Sequence, residues 1–338
     1  MAKGPSAKTG KLRVGLIGPG RIAVAHLAAV NANRDVAELV AVAGVPSEEE
    51  RTRELAEKYG ALKAVTGADA IFNDPEIDAV ILTVPNHLHR SLTIDALEHG
   101  KHVLIEKPLS ISTADSDDMI AAAKRAGRVL MVGQCRRYFK GAQEAKARIA
   151  ALGRPLSVIQ MLGVYTLEPR TSWWKSAADT GGLALGLNGP HLVDTALWLV
   201  GAKPVRVYCQ TSRFREGWEG EDEASLMITF DDGSIVSGHL SESLQPPLSE
   251  TVVIGPNGTL RLVQDRNLWL NGEQIVSEEV RPYIDGDAGF EGQFREFATA
   301  IAEGRQPSAS GEEIRPVTLV LEGARKSAME HMPVELTD

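Results

Sequence analysis

The chain has 338 residues, 43% of them hydrophobic and 24% charged, with a formal net charge of −9. At roughly 150 residues per domain, this length predicts two domains, each with enough apolar material for its own core. The negative balance argues against nucleic acid or an anionic membrane as partner, and no run approaches the ~20 apolar residues that span a bilayer.

Residues Met1–Lys11 are rich in Lys, Gly and Ser without an apolar stretch. They read as a disordered tail and not as a secretory signal. Cys135 and Cys209 are far apart and lack metal-ligand spacing, as expected of lone thiols in a reducing, cytoplasmic setting.

From Leu12 to about Gly133, short apolar runs alternate with helical patterns. The runs are Leu12–Ile17, Leu39–Ala43, Ala79–Thr83, Val103–Ile105 and Val129–Val132. They are apolar throughout, as strands buried on both faces of a parallel sheet are. Helical patterns cover Ser47–Tyr59, His87–His99 and Ser112–Ala126, the last closing at Gly127. The alternation predicts a doubly wound α/β (Rossmann) domain over residues 12–133.

The first strand runs directly into Gly18-Pro19-Gly20-Arg21-Ile22-Ala23, a G-x-G-x-x-A turn. Gly18 permits the tight turn, Gly20 lets the backbone approach a pyrophosphate, and Ala23 allows close helix packing. The helix behind it points free N–H groups at the phosphates. This predicts a dinucleotide site that includes Arg21 and Ile22. An acid at the end of the second strand would hold the 2′-hydroxyl of NAD, but that tip reads Gly44-Val45-Pro46-Ser47. Ser47, Arg51 and Arg53 suit a 2′-phosphate, whereas Glu48, Glu49 and Glu50 oppose it. The expectation is NAD or NADP, with the strand tip favouring NADP.

His102-Val103-Leu104-Ile105 ends in Glu106-Lys107-Pro108, which puts Lys107 at the carboxyl end of a strand, where open α/β sheets bind ligands. Its ammonium suits stabilisation of a developing alkoxide; a surface lysine before a loop proline fits the spacing equally well. His87-x-His89 offers two metal ligands without a third, so no metal is expected.

After about Gly133 the rhythm changes, and residues 134–338 are expected to form an α+β domain for substrate binding and oligomerisation. Arg136, Arg137 and Tyr138 follow the last Rossmann strand, and Arg137 is a candidate for a polar substrate. A helix is expected over Ala142–Leu152, a strand over Leu156–Tyr165 and a helix over His191–Val200. Tyr165, Trp174 of the Trp173-Trp174 pair, and Asn188 are further substrate candidates; stacked aromatics suit a sugar face as well as a core. Strands Ser225–Phe230 and Ser234–Leu240 flank Asp231-Asp232-Gly233, Thr251–Ile254 and Leu260–Val263 flank Pro256-Asn257-Gly258, and Asn271-Gly272 marks another turn. This predicts a large, mostly antiparallel, open-faced sheet with helices on one side, followed by helices Phe290–Glu303 and Gly311–Met329. Apolar residues on both phases, as in Leu226-Met227-Ile228, predict a homodimer or homotetramer.

Taken in order, Val14–Ala23, Thr83-Val84-Pro85-Asn86-His87-Leu88-His89, Glu106-Lys107-Pro108 and Gly181-Gly182 through Gly189-Pro190-His191-Leu192-Val193-Asp194 resemble the Gfo/Idh/MocA family, which includes glucose–fructose oxidoreductase and inositol dehydrogenase. The resemblance spans about Leu12 to Leu336. It implies that Lys107 lies beside nicotinamide and substrate with Glu106 at the cofactor, that Thr83, Pro85, Asn86 and His89 lie near the nicotinamide and its ribose, and that His191 faces the substrate and moves a proton. A histidine capping its helix is the structural alternative. One position departs from the pattern: family dehydrogenases commonly carry an Asp four residues before this His, and here Leu187 stands there. Asn188 or another side chain then substitutes, His191 works alone, or the chemistry differs. Asp194 is matched and lies at i, i+3 from His191. The expected activity is NAD(P)-dependent oxidation or reduction of a sugar, cyclitol or related polyol. The alternatives are a sugar-modifying enzyme that retains its cofactor through elimination, hydrolysis or epimerisation, and a non-catalytic nucleotide- or sugar-binding protein.

Overall fold

Continuous apolar runs become the centre of a six-stranded parallel sheet, because strands covered by helices on both faces have no side for water. The computed structural model describes residues 10–166, 168, 171–279 and 287–337, so the tail expected at Met1–Lys11 lies, up to residue 9, outside them. The elements here are β1 (Leu12–Ile17), α1 (Ala23–Ala32), β2 (Ala37–Gly44), α2 (Glu49–Tyr59), β3 (Lys63–Thr66), α3 (Asp69–Phe72), β4 (Ala79–Leu82), α4 (His89–Glu98), β5 (His102–Glu106), α5 (Thr113–Ala126) and β6 (Leu130–Gly133). The strand order is β3-β2-β1-β4-β5-β6, and every pairing is parallel. Every residue of β1, β4 and β6 is buried. β3 and α3 were not expected from the sequence; β3 is a four-residue, mostly exposed edge strand and offers no apolar run to read.

The second sheet is built on alternation. Its elements begin with α6 (Lys140–Arg148), β7 (Ser157–Tyr165), α7 (Ala177–Thr180), α8 (Ala184–Leu187), α9 (Gly189–Val200), β8 (Pro204–Ser212), β9 (Glu223–Phe230), β10 (Ile235–Ser241), β11 (Ser243–Gly255), β12 (Gly258–Val263), β13 (Asn267–Leu270) and β14 (Glu273–Val276). They are followed by α10 (Ala288–Glu303), α11 (Gly311–Glu330) and β15 (Val334–Glu335). The order β14-β13-β12-β11-β7-β10-β9-β8-β15 is antiparallel except for β7 against β10. Among the turns, Asn271 and Gly272 both take the positive φ (51° and 89°) that a tight hairpin needs.

Register gives this sheet two unlike faces. Val207, Ile228, Val236, Val158, Val253 and Leu260 are cross-strand neighbours in one row, and all are buried. α9 packs on β7 and β10 over this face, where a Cβ at Gly238 would stand 2.8 Å from Leu192. One residue along each strand, the row Tyr208, Met227, Ser237, Ile159, Val252, Arg261 and Trp269 faces outward. On it, Ile159 is 54% and Met227 51% exposed.

The chain forms two compact units. One holds the parallel sheet; the other holds the nine-stranded sheet and the larger part of α11. Residues 287–314 belong with the first unit. There α10 lies on α1: the Phe290 ring meets His26 edge-on at 5.1 Å, Asn33 Nδ2 donates to Glu291 O (3.1 Å), and Arg295 forks onto Asp35. A linear division at residue 133 does not capture this return, because its partners lie more than 250 residues apart in the chain.

Candidate active site

In the first unit, the carboxyl ends of β1, β4 and β5 are neighbours, and the candidate groups stand on the turns that follow them. Gly18 has φ +98°, and a Cβ there would lie 2.5 Å from Thr83 O. Its N–H donates to Ala43 O (2.9 Å), and Thr83 Oγ1 donates to Gly18 O (2.6 Å). Thr83, expected at the cofactor, is thus buried and locks the turn. Gly20 is exposed, and among the described residues no atom lies within 4 Å of where its Cβ would be. Arg21 is exposed, Ile22 half-buried and Ala23 fully buried. α1 has no side-chain cap and no acid in its first turn. Its leading N–H groups and positive dipole end therefore suit an anion, and the open side of Gly20 leaves a cradle that a Cβ would narrow. These residues fit a dinucleotide pyrophosphate.

At the tip of β2, Ser47 and Arg51 are exposed. Arg51 pairs with Glu54 (3.2 Å) and Arg53 with Glu49 (3.0 Å) on the surface of α2. Glu48 folds back so that Oε2 accepts from Val45 N (3.2 Å).

His89 is fully buried between two turns. Its Nδ1 lies 2.7 Å from Pro108 O and its Nε2 3.1 Å from Val84 O, which ties the turn after β4 to the turn after β5. Burial pushes its pKa below the ordinary histidine value, against the two carbonyls that favour its charged form. Asn86 is buried and Pro85 half-buried on the same turn. Glu106 is buried beneath Lys107 and lies 2.7 Å from His26 Nε2. Burial raises its carboxyl, but the His26 hydrogen bond and the nearby His26, Lys107 and His89 charges outweigh burial and hold it below the usual range. Lys107 is half-buried, and its N–H donates to Glu106 Oε2 (3.2 Å). His26 was not singled out from the sequence; its one signal is a polar residue inside the apolar run Ala23–Val30.

In the second unit, His191 lies in the first turn of α9, after Gly189-Pro190. Leu187 is not an open gap: it packs in an apolar cluster with Leu183 and Trp218, and Trp173 and Trp174 lie against that cluster. Trp174 is half-buried, edge-to-face with Trp173 at 6.2 Å. Asn188 Nδ2 donates to the buried Glu242, which also accepts from Thr166 Oγ1 (2.9 Å). Tyr165 is 37% exposed, with the Arg215 guanidinium 5.9 Å from its ring centroid.

The two adjacent arginines part ways. Arg137, the substrate candidate, is buried and forks onto both oxygens of Asp194 (2.8 and 2.6 Å). That engagement gives Asp194 a structural task. Arg136 instead pairs with Asp265 (3.0 Å) and Ser249 Oγ (2.9 Å). With Gln160, His191, Thr195 and Thr251 it lines a cavity of about 10 Å³. Gln160, Thr251 and Asp265 had no local sequence signal, since separate strands and a turn bring them together. Among the described residues, no group of three His, Cys, Asp or Glu side chains stands ready for a metal, and no helix is long and apolar enough to cross a membrane.

Comparison with known proteins identifies the family. Residues 12–134 match the model for an oxidoreductase family with an NAD-binding Rossmann fold, and residues 142–261 match the Gfo/Idh/MocA C-terminal domain. The chain is 27% identical to myo-inositol 2-dehydrogenase of Thermotoga maritima, across 97% of this chain and 99% of that one. It is 28% identical to D-apiose dehydrogenase of Paraburkholderia graminis, across 95% and 88%. Levoglucosan dehydrogenase solved with NADH and L-sorbose superposes with a TM-score of 0.88 at 25% identity, covering 97% of this chain and 99% of that one. An NAD-type turn at the head of a parallel sheet, joined to an open antiparallel sheet and matched along nearly the whole chain, makes this protein a member of the Gfo/Idh/MocA family of oxidoreductases.

Proposed function

We propose that the protein is an NAD(P)-dependent dehydrogenase or reductase that interconverts CH–OH and C=O on a sugar, cyclitol or related polyol, with Lys107 and His191 as its catalytic groups. The observation that carries this reading is the uncapped start of α1 behind the open Gly20 turn, two strands away from Lys107. A nicotinamide dinucleotide held by the Gly18–Ala23 turn and the start of α1 would supply hydride acceptance and donation. Lys107 stabilises the developing alkoxide, and the Glu106–His26 pair beneath it fixes the turn that carries it. His191 takes the hydroxyl proton in oxidation and returns it in reduction. The inositol, apiose and levoglucosan dehydrogenases that this chain resembles support a polyol substrate. Residues 12–133 serve the dinucleotide, and residues 134–338 the substrate and self-association.

The nucleotide is NAD or NADP. The strand tip alone favours NADP, but Glu48 sits at that tip and Arg51 and Arg53 are engaged by Glu54 and Glu49, which turns the reading toward NAD. The outward row of the large sheet, with Tyr208, Met227 and Ile159 exposed, supports a homodimer or homotetramer. Cys135 and Cys209 form no disulfide, which suits a cytoplasmic setting.

The test is reduced-cofactor fluorescence against a panel of sugars, cyclitols and polyols, with binding of NADH and NADPH measured alongside. Release of NAD(P)H with at least one of them is the expected result. Tight nucleotide binding with no turnover on any of them defeats the dehydrogenase reading, and no affinity for either nucleotide defeats the cofactor site.

A further inference from the structure

The buried face of the nine-stranded sheet is aliphatic at Val158 and Val253, which pair across β7 and β11. Two residues along the same strands, at the paired positions Gln160 and Thr251, that face turns polar. Polar side chains on a covered sheet face cost stability unless they are satisfied, so a polar pair there calls for a reason. Gln160 is 5% exposed; Nε2 donates to Thr251 Oγ1 (3.3 Å), and among the described residues its buried Oε1 accepts no hydrogen bond. Reversing the amide would exchange the two ends and still leave one of them unmatched.

The cavity of about 10 Å³ lies where these groups meet His191 and Thr195, one helical turn apart on α9, together with Arg136 and Asp265. That volume holds about one water molecule, and the lining is polar enough to keep one. Asp265 reaches it from the turn between β12 and β13, where Gln264 and Asp265 both take left-handed backbone (φ 52° and 60°). A non-glycine pair in that region is a costly way to build a turn, and here it presents a buried carboxylate. Leu187, one turn before His191, is sealed among Leu183 and Trp218 and has no oxygen to offer an imidazole.

We propose that Gln160 and Asp265 are positioning residues for His191, acting through one water lodged in this cavity. The inference rests on His191 being the proton-transfer group. The water donates to the Gln160 carbonyl and to the Asp265 carboxylate and accepts from one imidazole N–H. This fixes the tautomer and leaves the other ring nitrogen as the base. An acid and an amide reached through one water thereby do the orienting that a carboxylate at position 187 would do directly. The charged and titratable groups lining the cavity are Arg136, before α6, Asp265 and His191 itself.

The experiment uses the full-length protein with nitrogen-15 histidine. In the parent, without nucleotide or substrate, the His191 ring-nitrogen shifts are expected to report a single neutral tautomer. In Gln160→Met, which keeps the Arg136–Asp265 pair, they are expected to move toward a mixture, and the pKa of His191 to fall. With a substrate from the panel, Gln160→Met should lower kcat/KM by about tenfold, a part of what general base catalysis supplies, while nucleotide affinity is unchanged. Asp265→Asn retains an oxygen for Arg136 and gives a second reading should Gln160→Met fail to fold. A mixed-tautomer parent overturns the proposal whatever the substrate panel shows. So do unchanged His191 shifts and an unchanged pH profile in either folded variant. A single tautomer in a parent that turns nothing over leaves the water network standing and removes the enzymatic reading alone.

Discussion

The two sheets solve the same problem, holding polar groups at a defined place, by opposite means. In the parallel sheet, the candidate groups stand on turns after adjacent strands β1, β4 and β5, so each turn is fixed by its own strand and by the next one over. In the antiparallel sheet, they come from a turn before α6, two strands, a helix and a strained turn, and meet only because one covered face is packed. The first arrangement makes a site of backbone geometry. The second makes a site of side chains, so removing one of them should disturb stability and chemistry together.

Substitutions separate the two cases, and the largest effect is expected at Lys107. Lys107→Ala should lower turnover about 10³-fold, roughly 4 kcal/mol of transition-state stabilisation, with nucleotide affinity and melting temperature little changed. A parent-like rate would remove Lys107 from the chemistry. Arg137→Met should cost about 3 kcal/mol of stability in urea titration, because Asp194 would lose both hydrogen bonds of a buried pair (2.8 and 2.6 Å). A cost under about 0.5 kcal/mol would show that this side of the molecule is less dependent on side-chain pairing than its geometry indicates.

A pH titration of the parent against His102→Asn isolates one group of the parallel sheet. Burial, assisted by the Arg128 charge, pushes His102 down to about 4, and its Nδ1 accepts from Val129 N (3.0 Å). The unfolded chain takes up a proton near pH 6.5, and the folded one only near 4. Stability from this group is therefore present above about pH 6.5 and lost as the pH falls toward and below 4, by roughly 3–4 kcal/mol in all. His102→Asn should flatten that slope, and an unchanged slope would assign it elsewhere. The smallest effect on folding is expected on the outward row of the large sheet. Ile159→Lys should change monomer stability by less than about 0.5 kcal/mol. If the proposed homo-oligomer forms through this row, the sedimentation coefficient should shift toward a monomer, and an unshifted coefficient would remove the row as an association surface.

What could be read from the chain alone was whatever is local. The Gly18–Ala23 turn, the alternation of apolar runs with helices, the position of Lys107 at the end of β5 and the hairpin turn at Asn271-Gly272 each depend on a few consecutive residues and their allowed backbone angles. Thr83 was read at the end of its strand and His89 within the helical pattern that follows, but neither as a lock on the backbone between turns, because Thr83 reaches Gly18 O and His89 reaches Pro108 O on other turns.

Tertiary structure decided the rest. It returned α10 to α1, gave Arg137 to Asp194 and Arg136 to the cavity, closed Leu187 into an apolar cluster, and turned Gln160 and Asp265 toward His191. These outcomes depend on side chains separated by tens to hundreds of residues. Neighbours such as Arg136 and Arg137 carry the same local signal, and they differ only in what the fold brings to meet them.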